Sequence, residues 1–365
     1  MFRCSIFVTI IAVAIALAAH NFSYAPFDVS IGHIEVLSLS KLSVHYRGKN
    51  AILIGGTRGV GYGIALAMAK AGASVTLVGR SEATGRSAAK EILAELSETE
   101  GVGEEKGGNN DYDIIGNRVR FMRGDIGTVC AANDLVERLA TAPTKYDYLV
   151  VTAATFPDWS APTLLNEDGV DQSFAIAVVG RFIIYNNMRK FMRIADGSAV
   201  PRVLNVLASG KRFYPKSFDR ELAAGKREAK NLIEAMMAFA IGNEIMQIAL
   251  DRKGGGDEKK AFTRVSTHPG LLVTDLHRGQ GIVMDTIEPI AVALKGKTPE
   301  ECGMQHASIL ASNKLNEGEI SYVDDTLRGR LRSVSLDREI SNHLDWLWAF
   351  LNDLIDKQKS FCGKS

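Results

Sequence analysis

Two hydrophobic rhythms alternate along most of the chain. Ala51 to Ile54, Ser74 to Val78, Arg118 to Met122, Tyr148 to Thr152, Val203 to Leu207 and Thr263 to Thr267 are short runs rich in apolar and β-branched residues. Each predicts a strand. Between them lie longer stretches with helical spacing, at Gly59 to Ala71, Glu82 to Ser97, about Ala131 to Ala140, Asp168 to Ile194 and Glu228 to Leu250. In the first of these, Ile64, Ala65, Met68 and Ala69 share one face. Strands that are apolar throughout, alternating with helices, predict a parallel sheet covered on both sides, a doubly wound α/β domain of Rossmann type. Residues 25–45 mix polar and apolar positions without a readable period. Residues 98–117 are rich in Gly, Glu and Asn and read as an inserted surface loop, and residues 252–261 as a Gly/Lys loop.

The C-terminal stretch follows a helical period of its own. Leu336, Ile340, Leu344, Leu347, Phe350, Leu351 and Leu354 fall on one side, joined by Trp346 and Trp348, with charges opposite. Two readings stand open: a helix packed on its own domain, or a contact with a membrane surface or a second subunit of a homo-oligomer. The expected organisation is an N-terminal leader over 1–19, a segment over 20–47, the Rossmann domain over 48–332 and an amphipathic helix over 333–365.

The chemistry begins in Ile52-Leu53-Ile54-Gly55-Gly56-Thr57-Arg58-Gly59-Val60-Gly61-Tyr62-Gly63. Gly55, Gly59 and Gly61 give the spacing G-x-x-x-G-x-G between a predicted strand and a predicted helix. A pyrophosphate needs main-chain N–H donors at close approach, hence no side chains at the turn, and it gains from the positive end of the helix that follows.

The stretch from Gly55 to Gly61 resembles the cofactor loop of the short-chain dehydrogenases/reductases, and the order of later motifs is similar. Asp125-Ile126 matches the family's adenine contact. Leu149 to Ala154 stands where the family has Asn-Asn-Ala-Gly, with Ala153 matching. Asp168 to Phe182 resembles the following helix of retinol-dehydrogenase-like members, and His268-Pro269-Gly270 through Thr274 matches a late motif near the nicotinamide and diphosphate. The resemblance implies an oxidoreductase fold that binds a nicotinamide nucleotide and a small-molecule alcohol or carbonyl. The implied cofactor residues are Gly55, Thr57, Arg58, Gly59, Val60, Gly61, Arg80, Asp125, Ile126, Ala153, Pro269, Gly270 and Thr274.

A free ribose 2′-hydroxyl is usually held by an acid at the end of the second strand. Here that strand ends Leu77-Val78-Gly79-Arg80, with glycine in the acid's place and a cation after it. Arg58 adds a second guanidinium. Two arginines converging on one site suit a phosphate, so NADP(H) is expected over NAD(H).

The family's catalytic residues do not follow. They comprise a Tyr acid, a Lys four residues later that lowers its pKa, a Ser that holds the substrate oxygen and an Asn that supports a proton relay. Alignment puts Ala177 at the Asn, Ala208 at the Ser, and Phe239 and Asn243 at the Tyr and Lys. Some fungal relatives in this broad family also lack the Tyr. Ser209 and Tyr214, just past the strand end, form a candidate displaced pair, while Lys211, Arg212 and Lys216 read as a charged turn. Two classes of function therefore stand: an oxidoreductase with a divergent site, and a nucleotide-binding protein without turnover.

Composition adds little to this picture. The net charge of +1 offers no basic face for nucleic acid. Cys4, Cys130, Cys302 and Cys362 are scattered without metal-ligand spacing, which reads as free thiols rather than a disulfide framework. The N-terminus is more informative. Arg3 precedes an apolar run from Ile6 to Ala19, shorter than the roughly 20 residues of a comfortable membrane span. It fits a signal-peptide core, with Ala16-Leu17-Ala18 as a cleavage site, or a retained anchor. The expectation is entry into the secretory pathway or endoplasmic reticulum, lumenal or membrane-anchored.

Overall fold

The computed structural model describes residues 29–100, 113–116, 118–155, 163–194, 200–207, 218–253, 261–270, 296–315, 320–331 and 337–362. The expected leader with Arg3 and Cys4, the segment holding Ala208, Ser209, Lys211, Arg212, Tyr214 and Lys216, and Thr274 all lie outside the described residues.

The strands are β1 (Val29–His33), β2 (Asn50–Ile54), β3 (Ser74–Gly79), β4 (Asp113–Gly116), β5 (Val119–Arg123), β6 (Tyr148–Val151), β7 (Arg202–Val206), β8 (Thr263–Thr267), β9 (Ile320–Val323) and β10 (Arg328–Leu331). They form one sheet in the order β1-β10-β9-β8-β7-β6-β2-β3-β5-β4. From β9 across to β5 every pairing is parallel. Antiparallel strands close both margins, β10 and β1 on one side and β4 on the other. The strand order reverses between β2 and β6, the point at which doubly wound sheets bind their ligands.

Helices cover the two faces. On one lie α1 (Leu39–Tyr46), α2 (Gly59–Lys70), α3 (Glu82–Glu100) and α8 (Pro299–Ala311). They share a core with Leu53, Leu77, Val150, Leu204 and Val265 from the strands. On the other lie α4 (Val129–Thr141), α7 (Leu232–Lys253), α9 (Asp337–Lys359) and a composite helix, α5. Three pieces make up α5: Gln172–Phe174, the π-helical Ala175–Gly180, and Arg181–Asn186. A short α6 (Arg220–Ala223) precedes α7.

Several expectations shift. The helix predicted from Asp168 to Ile194 begins only at Gln172, because Asp171 is its cap and its carboxylate accepts from Ser173 N at 2.9 Å and Phe174 N at 3.0 Å. The loop predicted over 98–117 contains the edge strand β4 and the last residues of α3. The C-terminal helix packs on its own domain: Leu344, Leu347, Leu351 and Ile355 are buried, and Trp348 meets Phe182 edge-on at 5.4 Å. The cysteine reading is corrected outright. Cys130 at the start of α4 and Cys362 just past α9 form a disulfide, while Cys302 is a buried free thiol. Their separation of 232 residues in sequence left no local spacing to read. Among the described residues, no helix is long and apolar enough to cross a membrane.

Candidate functional site

The glycine turn sits between β2 and α2, at the carboxyl end of the sheet beside the switch point. Gly55 has φ +93°, and a Cβ there would lie 2.5 Å from Ala153 N. A Cβ on Gly61 would lie 2.2 Å from Gly55 O. Both positions demand glycine for space, and Gly55 for its conformation as well. Thr152 Oγ1 donates to Gly55 O at 3.0 Å and ties the turn to the end of β6. The sequence reading missed that contact. Gly59, at φ +53°, opens α2, and Val60 packs half-buried against the core beneath it. The turn is thus a cradle of main chain at a helix N-terminus, the form a diphosphate requires.

The adenosine side is built by the ends of β3 and β5. A Cβ on Gly79 would lie 2.7 Å from Thr57 Cγ2, so the Thr57 methyl fills the space in which a ribose-binding acid would begin. Arg58 stands at the N-cap of α2 and Nη2 donates to Thr84 Oγ1 at 3.2 Å, which turns the guanidinium toward the start of α3. Arg80 is exposed and lines a cleft of about 480 Å³ with Arg123, Asp125, Asp134 and Arg138. Arg123 was not singled out from sequence. It pairs with Gly79 across the β3–β5 ladder, and that register brings its charge to the same end. Arg138 is held by Asp134 at 2.9 Å. Asp125 Oδ1 accepts from Ile126 N at 2.7 Å and Gly127 N at 2.9 Å, shaping the loop. Ile126 itself is buried in the core, and its carbonyl would meet a Cβ on Gly180 at 2.1 Å.

The other side lies over β6, β7 and β8. Ala153 N donates to Ile54 O at 3.1 Å. Pro269 and Gly270 follow β8 and are half-buried, with Gly270 at φ +81° beside Asp325. The structure brings together three of the aligned catalytic positions. Asn243 on α7 donates through Nδ2 to Ala177 O at 2.6 Å, inside the π-helical turn of α5. Phe239 lies one turn before Asn243 and is buried. Neither Ala177 nor Phe239 has a side-chain proton that it can donate, and both polar atoms of Asn243 are committed, Oδ1 accepting from Asn205 Nδ2 at 3.0 Å.

Asn205 belongs to a buried polar network that the sequence reading did not find. Its Nδ2 also donates to Ser266 Oγ at 2.8 Å, and its Oδ1 accepts from Arg181 Nη1 and from the Tyr185 hydroxyl, the latter at 3.0 Å. Arg181, one turn below Ala177, is fully buried. Its Nη2 donates to Ala153 O at 2.9 Å and Val206 O at 3.0 Å. Burial pulls its pKa down, and the Tyr185 hydroxyl opposes that shift. Burial also pushes the Tyr185 hydroxyl up to about 12, against the pull of Arg181. The available signal was a lone arginine in the apolar run from Phe174 to Ile184.

Residues 49–103 match the short chain dehydrogenase family. Human retinol dehydrogenase 14 is 24% identical over 301 residues, covering 81% of this chain and 84% of that protein. Mouse polyprenol dehydrogenase is 22% identical over 305 residues, covering 83% and 82%. Among solved structures, an NADP-bound 3-oxoacyl (acyl-carrier-protein) reductase from Agrobacterium tumefaciens matches with a TM-score of 0.53 and 21% identity, over 80% of this chain and 98% of that one. The reductase/Diels-Alderase MalC from Malbranchea aurantiaca matches equally well, at 0.53 and 17% identity, over 79% and 98%. With its glycine cradle, parallel sheet and motif order, this chain is similar to the short-chain dehydrogenases/reductases, whose family model its residues 49–103 match.

Proposed function

We propose that the chain binds NADP(H) at the Gly55–Gly61 cradle and uses it as an oxidoreductase on an alcohol or carbonyl, with a proton donor other than the family's tyrosine. The observation that carries the cofactor reading is the Gly79–Thr57 contact flanked by Arg58, Arg80 and Arg123, which puts a methyl group where an acid would begin and gathers cations for a 2′-phosphate. Gly55, Gly59 and Gly61 would hold the diphosphate, Asp125 and Ile126 the adenine side, and Ala153, Pro269 and Gly270 the nicotinamide side. When bound, the nucleotide supplies the hydride. The chain's own residues bind it and orient it.

Removing one phosphate-pairing guanidinium should cost roughly 1.5–3 kcal/mol, about 10- to 100-fold in Kd. Arg80→Ala and Arg58→Ala are therefore expected to weaken NADPH by that factor and to leave NADH unchanged. Isothermal titration of the purified chain with both nucleotides is the check. Equal or tighter binding of NADH by the wild type would overturn the assignment.

A proton donor must lie within hydrogen-bond reach of the reacting oxygen. Ser209 and Tyr214, which follow β7 in sequence, are the proposed donors. A panel beginning with retinol and polyprenols, for which two relatives are named, would be followed at the nicotinamide absorbance. Turnover lost in Ser209→Ala or Tyr214→Phe supports the pair. Turnover that persists in both keeps the oxidoreductase and removes the pair. A second reading, a nucleotide-binding protein without turnover, is favoured by Phe239 and by the committed Asn243 amide. Tight NADPH binding with no turnover on any substrate would establish it.

We also propose residence in the secretory pathway, lumenal or anchored at its membrane. The apolar run from Ile6 to Ala19 and the Cys130–Cys362 bridge both support it, since disulfides persist in oxidising compartments. Fractionation of tagged protein with N-terminal sequencing tests this. A cytosolic product that still begins at Met1 would defeat it.

A further inference from the structure

Buried charges in proteins are normally paired or bound to metal. Arg181 is an exception that calls for an explanation. It has no exposed surface, and every group that receives its protons is neutral: the Asn205 side-chain oxygen and the Ala153 and Val206 carbonyls, with the Tyr185 hydroxyl donating to the same Asn205 oxygen. Among the described residues no carboxylate pairs with it, and its Nε has no acceptor. A guanidinium keeps its proton throughout the ordinary pH range, so the charge is permanent.

Its position is also specific. Side chains on a helix lean toward the helix N-terminus, and Arg181 leans up from α5 to the carboxyl ends of two adjacent strands. The Ala153 carbonyl follows β6, and the Val206 carbonyl closes β7. Ala153 also abuts the glycine turn. A dinucleotide lies across the strand ends on both sides of the switch point. The cation-lined cleft over β3 and β5 marks the adenosine half, which leaves the ends of β6 and β7 for the nicotinamide half. Asn243, at the family's lysine position, carries no charge.

We propose that Arg181 supplies from α5 the fixed positive charge that this site lacks on α7, and that it thereby sets the redox preference of the bound nucleotide toward the reduced form. The inference rests on the NADP(H) reading above. An oxidised nicotinamide ring carries a positive charge and a reduced ring is neutral. A buried guanidinium beside the ring repels the first and leaves the second untouched, and the low local dielectric keeps the repulsion from being screened. No group in the network offsets it, because the Tyr185 hydroxyl stays protonated.

Titration calorimetry of the full chain with NADPH and with NADP⁺ tests this without requiring turnover. The wild type is expected to bind NADPH on the order of tenfold more tightly than NADP⁺. Arg181→Met is expected to bring the two affinities within about threefold, while Arg181→Lys retains the preference. Arg181→Met also loses three hydrogen bonds and is a candidate for misfolding. Asn205→Asp covers that case, because it leaves the arginine in place and sets a carboxylate against it, and it is expected to narrow the preference in the same direction. A purely structural arginine would change stability in these variants and leave the ratio alone. A wild-type ratio near one, or an unchanged ratio in Asn205→Asp, overturns the proposal while leaving the cofactor assignment intact. Failure of the wild type to bind either nucleotide overturns both.

Discussion

Reducing the Cys130–Cys362 bridge is expected to lower the unfolding free energy by roughly 2–5 kcal/mol, the usual range for a native disulfide. The bond closes a loop with a sequence separation of 232 residues. In the chain-entropy account, loops of that size give about 5 kcal/mol, because the unfolded chain loses most freedom when distant residues are tied. The native helix does not depend on the bridge alone. Leu344, Leu347 and Leu351 are buried against α4 and α7, and Lys253 pairs with Asp345 at 2.7 Å. Cys130→Ser, Cys362→Ser and the double variant should therefore fold, and all three should lose the same amount, since either change alone removes the bond. Thermal melts with and without reductant make the measurement. A wild-type melt unmoved by reductant, or alkylation of both cysteines in the native protein, would show that the bridge does not form. The bond also bears on the cofactor site, because Cys130 lies five residues after Asp125, at the head of α4. Loosening α9 is expected to loosen the loop that faces the adenine.

The fold was legible wherever local pattern and global structure agree. The six expected strands appear within a residue or two of their predicted bounds, because each is a largely buried central strand rich in apolar and β-branched residues. The margins were not legible. In β10, Arg-Gly-Arg-Leu, polar and glycine residues hide the strand, and it pairs only as part of an antiparallel edge. Helix α8 has a readable start in Thr298-Pro299-Glu300-Glu301 that the apolar period alone does not reveal: Thr298 Oγ1 accepts from Glu301 N at 3.2 Å, and the Glu301 carboxylate accepts from Thr298 N at 3.0 Å. The cofactor cradle could be read from glycine spacing, since close approach of main chain leaves no substitute for glycine. The polar network around Arg181 could not, because it joins residues from α5, β7, α7 and β8 that are far apart in sequence, and of these only Asn243 carries a sequence signal of its own. The disulfide escaped for the same reason.

That network also accounts for how the family's catalytic helix could change without collapse. Asn243 sits against the π-helical turn and spends its amide on the Ala177 carbonyl and on Asn205. Two uncharged groups thus satisfy each other where the family places a lysine. On the proposal above the cation stands on the facing helix instead, and the described substituted positions, Ala177, Phe239 and Asn243, are all buried. A site that had decayed without constraint would be expected to leave orphaned polar atoms at the substituted positions. Among the described residues the orphaned atoms near the centre are Arg181 Nε, on the residue proposed above to act on the nucleotide, and Gln247 Nε2 one turn beyond Asn243, and neither is at a substituted position.

Gly63→Ala is expected to destabilise the protein by at least about 3 kcal/mol, the upper end of overpacking costs, although it adds a single methyl group. Helices α2 and α8 cross at Gly63 and Gly303 with main chain against main chain. A Cβ on Gly63 would lie 1.7 Å from Pro299 O, and one on Gly303 would lie 2.1 Å from Gly63 O. Neither contact is with a flexible side chain, so relief requires one helix to move. The capping box at Thr298 holds the start of α8, and Ile64, Met68, Ala307 and Leu310 around the crossing are all buried. Ordinarily an alanine in a helix interior is favoured over glycine by about 1 kcal/mol, so steric and intrinsic effects here have opposite signs, and the geometry decides between them. Gly303→Ala should behave alike, and the double variant should cost less than the sum, because one separation of the helices relieves both clashes. Gly61→Ala provides the contrast: its Cβ would strike Gly55 O at 2.2 Å within the cofactor turn, so nucleotide binding should be lost along with stability. Gly63→Ala, by comparison, is expected to lose binding only in proportion to the unfolded fraction. Urea denaturation with and without NADPH separates the two. A Gly63→Ala variant within about 1 kcal/mol of the wild type would mean that the helices do not cross this closely, since overpacking at main-chain contact is not absorbed that cheaply.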